Sequence, residues 1–132
     1  MRMPTVISEA SVGYAVGSGE SSPQPFSVVR VPFPFSDRAA TKNRPALVLS
    51  DNERFNGPAG HSVLAMITSA GNSPWPLDCV IGDLEAAGLP AASKVRMKLF
   101  TLDNRLLRGS LGRLAEPDQR AVKAALAVLL VR

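Results

Sequence analysis

Histidine and cysteine are nearly missing from this chain, which holds one of each, His61 and Cys79, in 132 residues. One thiol forms no internal disulfide and cannot build a zinc site. One imidazole excludes a two-histidine acid–base pair within a single chain. His61 stands in "GPAGHS", a loop-like stretch that reads as a solvated imidazole, and Cys79 stands in "PLDCVI", where it reads as a small core residue rather than a nucleophile. The acids are spread singly, with no tight carboxylate cluster of the kind that holds magnesium. No metal and no cofactor is therefore expected. Nor is there a phosphate-binding glycine loop, since "GSGE" lacks both the spacing and a preceding strand.

Long apolar runs are also missing. The longest, Ala124 to Val131, is too short to cross a bilayer. Residues 1–25 carry no apolar block of signal-peptide length, because Ser8, Glu9 and Gly13 interrupt it. These absences predict a cytoplasmic protein with no membrane partner. What the chain does have is an excess of cations: 15 Lys and Arg against 11 acids, a formal charge of +4 and a pI near 9.8. Such a balance favours polyanions, nucleic acid above all.

The length suits one domain with a modest core. Residues 1–25, rich in Ser, Gly and Glu and closing with "SSPQP", read as a flexible extension, and residues 26–132 as the domain. In "SVVRVPFPFSD", Val29, Val31, Phe33 and Phe35 fall on one side of an extended chain, and the prolines make its second half an edge or a departing loop. "PALVLS", "SVLAMITS", "PLDCVI" and "SKVRMKLF" follow as short strands, "DLEAAGLP" as one helical turn closed by Gly88, and "LRGSLGRL" as a further strand or bend. After Glu116, Pro117 and Asp118 suit the first turn of a helix that carries Val122, Leu126, Leu129 and Leu130 at helical spacing. From Ala124 that helix is apolar all round, which fits either a partner subunit or a place under loops of its own domain. Short strands, Pro and Gly turns and one terminal helix together predict a mainly β fold, a small, strongly bent, barrel-like sheet.

Two stretches carry chemistry. In "KVRMKL", Lys94, Arg96 and Lys98 alternate with Val95, Met97 and Leu99, which places three cations about 7 Å apart on one face with no acid to balance them. In "TKNRPALVLS", a guanidinium stands at the mouth of a buried strand. Thr68, near the end of the third strand, presents a hydroxyl beside Ser69 and Asn72. Arginine, hydroxyls and a basic face suffice for one reaction. RNA brings its own nucleophile, the 2′-OH, and cleavage then needs alignment, proton transfers and a guanidinium and hydroxyl to hold the charge that builds on phosphorus.

The string "VVRVPFPFSD…KNRPALVLS…AMITSA…WPLD…AGLPAASKVRMKLFTLDNRLL…LGRL" resembles the MazF/PemK family of toxin ribonucleases from type II toxin–antitoxin systems, from about Val28 to the C-terminal helix. The resemblance implies an SH3-like barrel with a C-terminal helix, a homodimer, metal-independent cleavage of single-stranded RNA to a 2′,3′-cyclic phosphate, and a cognate antitoxin that blocks the groove. It implies that Arg44 and Thr68 are the catalytic pair. Around them, Arg30, Lys42, Asn43, Ser69, Lys94, Arg96 and Lys98 are expected to bind RNA. The chain departs from the family pattern at Phe26-Ser27, where Gly-Asp is usual. It departs again at Lys98, where some relatives carry an acid, which favours phosphate binding there over proton transfer. The same barrel also serves CcdB-like poisons that bind a protein and cut nothing, so a non-catalytic module, such a poison or a catalytically decayed RNA binder, is the alternative.

Overall fold

The computed structural model describes residues 22–33 and 42–131. Most of the expected N-terminal extension, the Pro34–Phe35 part of the first apolar stretch, and Thr41 lie outside the described residues. Six strands form one antiparallel sheet: β1 (Ser27–Phe33), β2 (Lys42–Val48), β3 (His61–Ser69), β4 (Cys79–Val80), β5 (Ser93–Asp103) and β6 (Ser110–Arg113). Their order across the sheet is β4-β5-β3-β2-β1-β6. Three α-helices accompany them among the described residues: α1 (Gly57–Ala59), α2 (Leu84–Ala87) and α3 (Glu116–Leu129). The result is a curled half-barrel with a C-terminal helix, the mainly β architecture the sequence predicts.

The sheet buries both faces. Ala46, Leu47 and Val48 are consecutive and all fully buried, which period-two geometry allows only where each face is covered. On one face Val28, Leu47, Ala65, Ile67, Val95 and Met97 pack against Ile81, Ala87, Leu89, Leu114, Val122 and Ala125, so α2 and α3 close this side. On the other, Val29, Val31, Ala46, Val48 and Leu64 meet Leu102 and Leu107. This second core occupies one end of its face. The other end of that face is left for the site.

Local chemistry fixes the closing elements. Pro117 sits in the first turn of α3 as expected. The buried Asp118 carboxylate accepts the backbone N–H groups of Gly82 at 2.9 Å and Asp83 at 3.0 Å, which pins the helix to the loop before α2. Gly88 ends α2 at φ +72°, and a Cβ there would lie 2.0 Å from the Leu111 carbonyl oxygen. Opposite it, a Cβ on Gly112 would lie 2.4 Å from the Ala86 oxygen, so α2 and β6 touch backbone to backbone.

The segment Asn52–Ala59, a wide helical turn running into α1, has no counterpart among the predicted elements. Asp51 caps it through the N–H groups of Glu53 and Arg54. The fully buried Asn56 holds it: its amide donates to the carbonyls of Pro23 at 2.8 Å and Ser50 at 2.9 Å and accepts from the Ser50 hydroxyl. Asn104 bonds the Asn56 carbonyl and the Ser62 hydroxyl, so the network reaches β3. Ser22 and Pro23, at the end of the expected extension, are buried against it.

At the far end of α3, Val128, Leu129 and Leu130 remain 67%, 42% and 51% exposed. Loops of the described chain do not cover them.

Candidate nucleic-acid interface

Register places Arg44 and Thr68. The β2–β3 ladder runs Val48–Leu64, Leu47–Ala65, Ala46–Met66, and its last pair is Ala46–Met66. Beyond that pair, strand parity keeps Arg44 on the face of Ala46 and Thr68 on the face of Met66, so both side chains belong to one face of the sheet. Both strands continue past Ala46–Met66, β2 paired to β1 through Lys42 and β3 paired to β5 through Ser69. At the level of these two side chains β2 and β3 are no longer paired with each other.

A cavity of about 270 Å³ fills this end of the face, lined by Phe33, Met66, Thr68, Arg96, Lys98, Leu99 and Phe100. The Arg44 guanidinium lies 5.3 Å from the centre of the Phe33 ring, at the cavity's edge. Arg44 is exposed and makes no ion pair among the described residues. Pro45, opposite Arg30, starts the buried part of the strand, so Arg44 is the last residue before burial begins. The Thr68 Oγ1 accepts a hydrogen bond from the Asn72 amide at 2.5 Å, which leaves its own proton to donate outward.

The cations of β5 differ from the expected uncompensated row. Asp78 balances two of them. Its Oδ2 lies 3.0 Å from Lys94 Nζ and 3.0 Å from Arg96 Nη2, and its Oδ1 accepts from Arg96 Nε at 3.2 Å. The Arg96 guanidinium is the main cause that holds the Asp78 carboxyl down to about 2, with Lys94 and the Trp75 N–H adding to it against the opposing push of burial. Lys94 also donates to the Asn72 carbonyl at 2.8 Å, and its side chain is 7% exposed. Arg96 donates further to the Ser73 carbonyl. Lys94 and two of the three Arg96 nitrogens are thus spent on anchoring the loop 70–78. Lys98 is the exposed cation of the row, and its Nζ stands 4.6 Å from the Trp75 ring centre.

A model of the PemK-like, MazF-like toxins of type II toxin–antitoxin systems matches residues 24–130. The chain belongs to this family. Solved structures agree on the fold: a MazE–MazF complex from Deinococcus radiodurans superposes with a TM-score of 0.64 at 22% identity, covering 82% of this chain and 95% of that one. An endoribonuclease in complex with its cognate antitoxin from a mycobacterial species gives 0.61 at 22% identity over 81% and 91%. The Mycobacterium tuberculosis toxin MazF-mt6 gives 0.62 at 18% identity over 77% and 93%. Among curated proteins none matches the sequence.

In this MazF-like chain the remaining expected RNA contacts divide between the two faces. Lys42 is exposed, pairs with Phe33, and shares the face of Arg44. Arg30 pairs with Pro45 and Asn43 with Pro32, which puts both on the opposite face. Ser69 pairs with Ser93 at the strand end, where its hydroxyl accepts from the Gly71 N–H at 3.4 Å. His61 lies seven residues up β3 from Thr68, about 23 Å along the strand, and its Nδ1 donates to the Ala59 carbonyl at 3.0 Å. Among the described residues no His, Cys, Asp and Glu side chains gather as metal ligands do, and no helix is long and apolar enough to cross a membrane.

Asp78, Phe33 and Trp75 complete the site, and sequence patterning assigns none of them a role there; Asn72, expected as a polar group beside Thr68, bonds its hydroxyl. Asp78 is separated from Arg96 by a turn, β4 and α2, so no local pattern joins them. Trp75 does carry a signal, as the chain's one tryptophan set between Pro74 and Pro76.

Proposed function

We propose that this toxin-family chain is a metal-independent endoribonuclease acting on single-stranded RNA. The observation that carries the reading is a cleft, the cavity lined by Phe33, Thr68 and Lys98, with the Arg44 guanidinium at its edge, 5.3 Å from the centre of the Phe33 ring. An RNA strand lying in the cleft presents a phosphodiester to both. The 2′-OH gives up its proton as its oxygen attacks phosphorus, the P–O bond to the 5′-oxygen of the next nucleotide breaks and that oxygen takes up a proton, and a 2′,3′-cyclic phosphate remains. Arg44 offers a planar fork to two phosphate oxygens as their charge grows, and the outward Thr68 hydroxyl donates a further hydrogen bond. Lys98 and Lys42 hold neighbouring phosphates, with the Nη1 of Arg96 behind them. Lys94 serves the loop instead.

The exposed apolar end of α3, at Val128, Leu129 and Leu130, supports assembly with a second copy. A cognate antitoxin is the further partner, by analogy with the relatives solved as complexes. The test is incubation of the purified protein with single-stranded RNA in EDTA. Fragments ending in a 2′,3′-cyclic phosphate are expected. Binding without fragments returns the chain to the class of non-catalytic modules.

A further inference from the structure

The geometry points to Trp75 as the platform on which one unpaired base of the RNA stacks, next to the scissile phosphate. The inference rests on the ribonuclease reading above and adds the recognition of a base to it. Trp75, the chain's one tryptophan, is 40% exposed beside Arg96 and Lys98, which line the cavity. Its ring gathers two of the cavity's cations, with Lys98 Nζ at 4.6 Å and Arg96 Cζ at 5.7 Å from the centre. These cations draw a phosphate to the side of the ring, and a base stacks on the ring surface that they leave open.

The backbone beneath the ring is held still. Asp78 N–H donates to the Trp75 carbonyl at 3.1 Å, Pro76 takes the second position of this turn, and Leu77 takes the third at φ +66°. A left-handed third residue after proline is the geometry that normally asks for glycine. Leucine is strained there, and the strain is borne because Leu77 packs against the core while the Trp75 N–H bonds the Asp78 carboxylate at 3.0 Å. That carboxylate is the one that holds Lys94 and Arg96. An exposed aromatic on a mobile loop loses entropy when it stacks; this one is fixed beforehand to the strand that bounds the cavity. A second aromatic, Phe33, lines the cavity and is 39% exposed.

The experiment uses the intact protein and a short single-stranded oligoribonucleotide of mixed sequence, 2′-O-methylated throughout so that it binds uncut. An abasic oligomer of equal length is the control. With one tryptophan in the chain, its emission reports the platform alone, while anisotropy of end-labelled RNA reports binding. The expected result is quenching that saturates with binding for RNA and is absent for the abasic oligomer. Trp75→Ala should weaken RNA binding roughly tenfold, the usual worth of one stacked base. It should leave abasic binding unchanged, and Trp75→Phe should recover most of the loss. RNA binding with unchanged emission, or equal binding by Trp75→Ala, overturns the platform and leaves the ribonuclease reading standing. No RNA binding by the parent protein removes both. If Trp75→Ala fails to fold, the parent's emission and Trp75→Phe still decide.

Discussion

Asp78 grips Arg96 at two points, Oδ1 to Nε at 3.2 Å and Oδ2 to Nη2 at 3.0 Å, and thereby ties the loop that carries Trp75 to the strand that floors the cavity. The same carboxylate takes Lys94, whose side chain is almost fully buried. Replacing Asp78 by Asn leaves that ammonium without its counter-charge, a change that costs about 3 kcal/mol in buried pairs. Urea unfolding of Asp78→Asn against the parent measures it. The loss depends on pH in a defined direction. The carboxyl titrates near 3.8 when unconstrained and near 2 in the fold, so its contribution is complete above the first value and disappears as pH falls through the second. The stability gap between parent and variant should therefore be constant near neutrality and close on acidification over that window. A gap that stays open there contradicts the pairing.

The proposed mechanism has Arg44 and Thr68 acting on one phosphate, which predicts that their variants share a phenotype. Arg44→Ala is expected to lower RNA cleavage by about a hundredfold or more, the scale of losing a transition-state donor. Arg44→Lys should not restore it, because an ammonium cannot present a planar fork. Thr68→Ser keeps the donor and should retain most activity, whereas Thr68→Val removes it at similar volume. Rates measured on a labelled oligoribonucleotide, with circular dichroism to confirm folding, distinguish these outcomes. Parental rates from Arg44→Ala would remove the mechanism.

Short apolar runs bounded by prolines and polar turns made β1, β2, β3 and β5 legible, although burial alternates strictly along none of them, because the sheet is covered on both faces. Pro117 and Asp118 likewise marked α3. Asn52–Ala59 was not legible, since a polar turn held by one buried asparagine has no apolar period to display. The bulge of β5 was hidden as well: the register steps from Ala65–Leu99 to Met66–Arg96, inserting Met97 and Lys98. At the site, the resemblance to a family named Arg44 and Thr68. Spacing found the three cations of β5 but not their different fates, because Asp78 meets them only after the chain turns back. Arg30 and Asn43 were expected to bind RNA around Arg44, but strand parity turns them to the other face.

Gly88 is a position where both conformation and space exclude a side chain. Alanine there meets strain at φ +72° and a carbonyl oxygen 2.0 Å from its Cβ. The neighbour is backbone, so no rotamer change relieves it. Gly88→Ala should cost on the order of 3 kcal/mol or more and lower the Tm accordingly. Gly71→Ala is the control, since its nearest neighbour would be the Ser69 hydroxyl at 3.9 Å. That change should stay within about 0.5 kcal/mol. Thermal melts of both decide whether α2 and β6 touch as described.

Cys79 is the remaining group with nucleophilic chemistry, and its surroundings suppress it. Burial chiefly, and the neighbouring Asp78 charge in addition, push its thiol pKa up. The sulfur instead donates weakly to the Leu77 carbonyl at 3.5 Å and the Ala121 carbonyl at 3.7 Å, on the inner side of α3. Nucleophilicity requires the thiolate, so iodoacetamide should label native protein at least about tenfold more slowly than protein in strong denaturant. Cys79→Ser should keep RNA cleavage within about twofold of the parent. Rapid labelling of the native fold that also abolishes cleavage would make Cys79 part of the site, and the arginine–hydroxyl mechanism would then lack one of its participants.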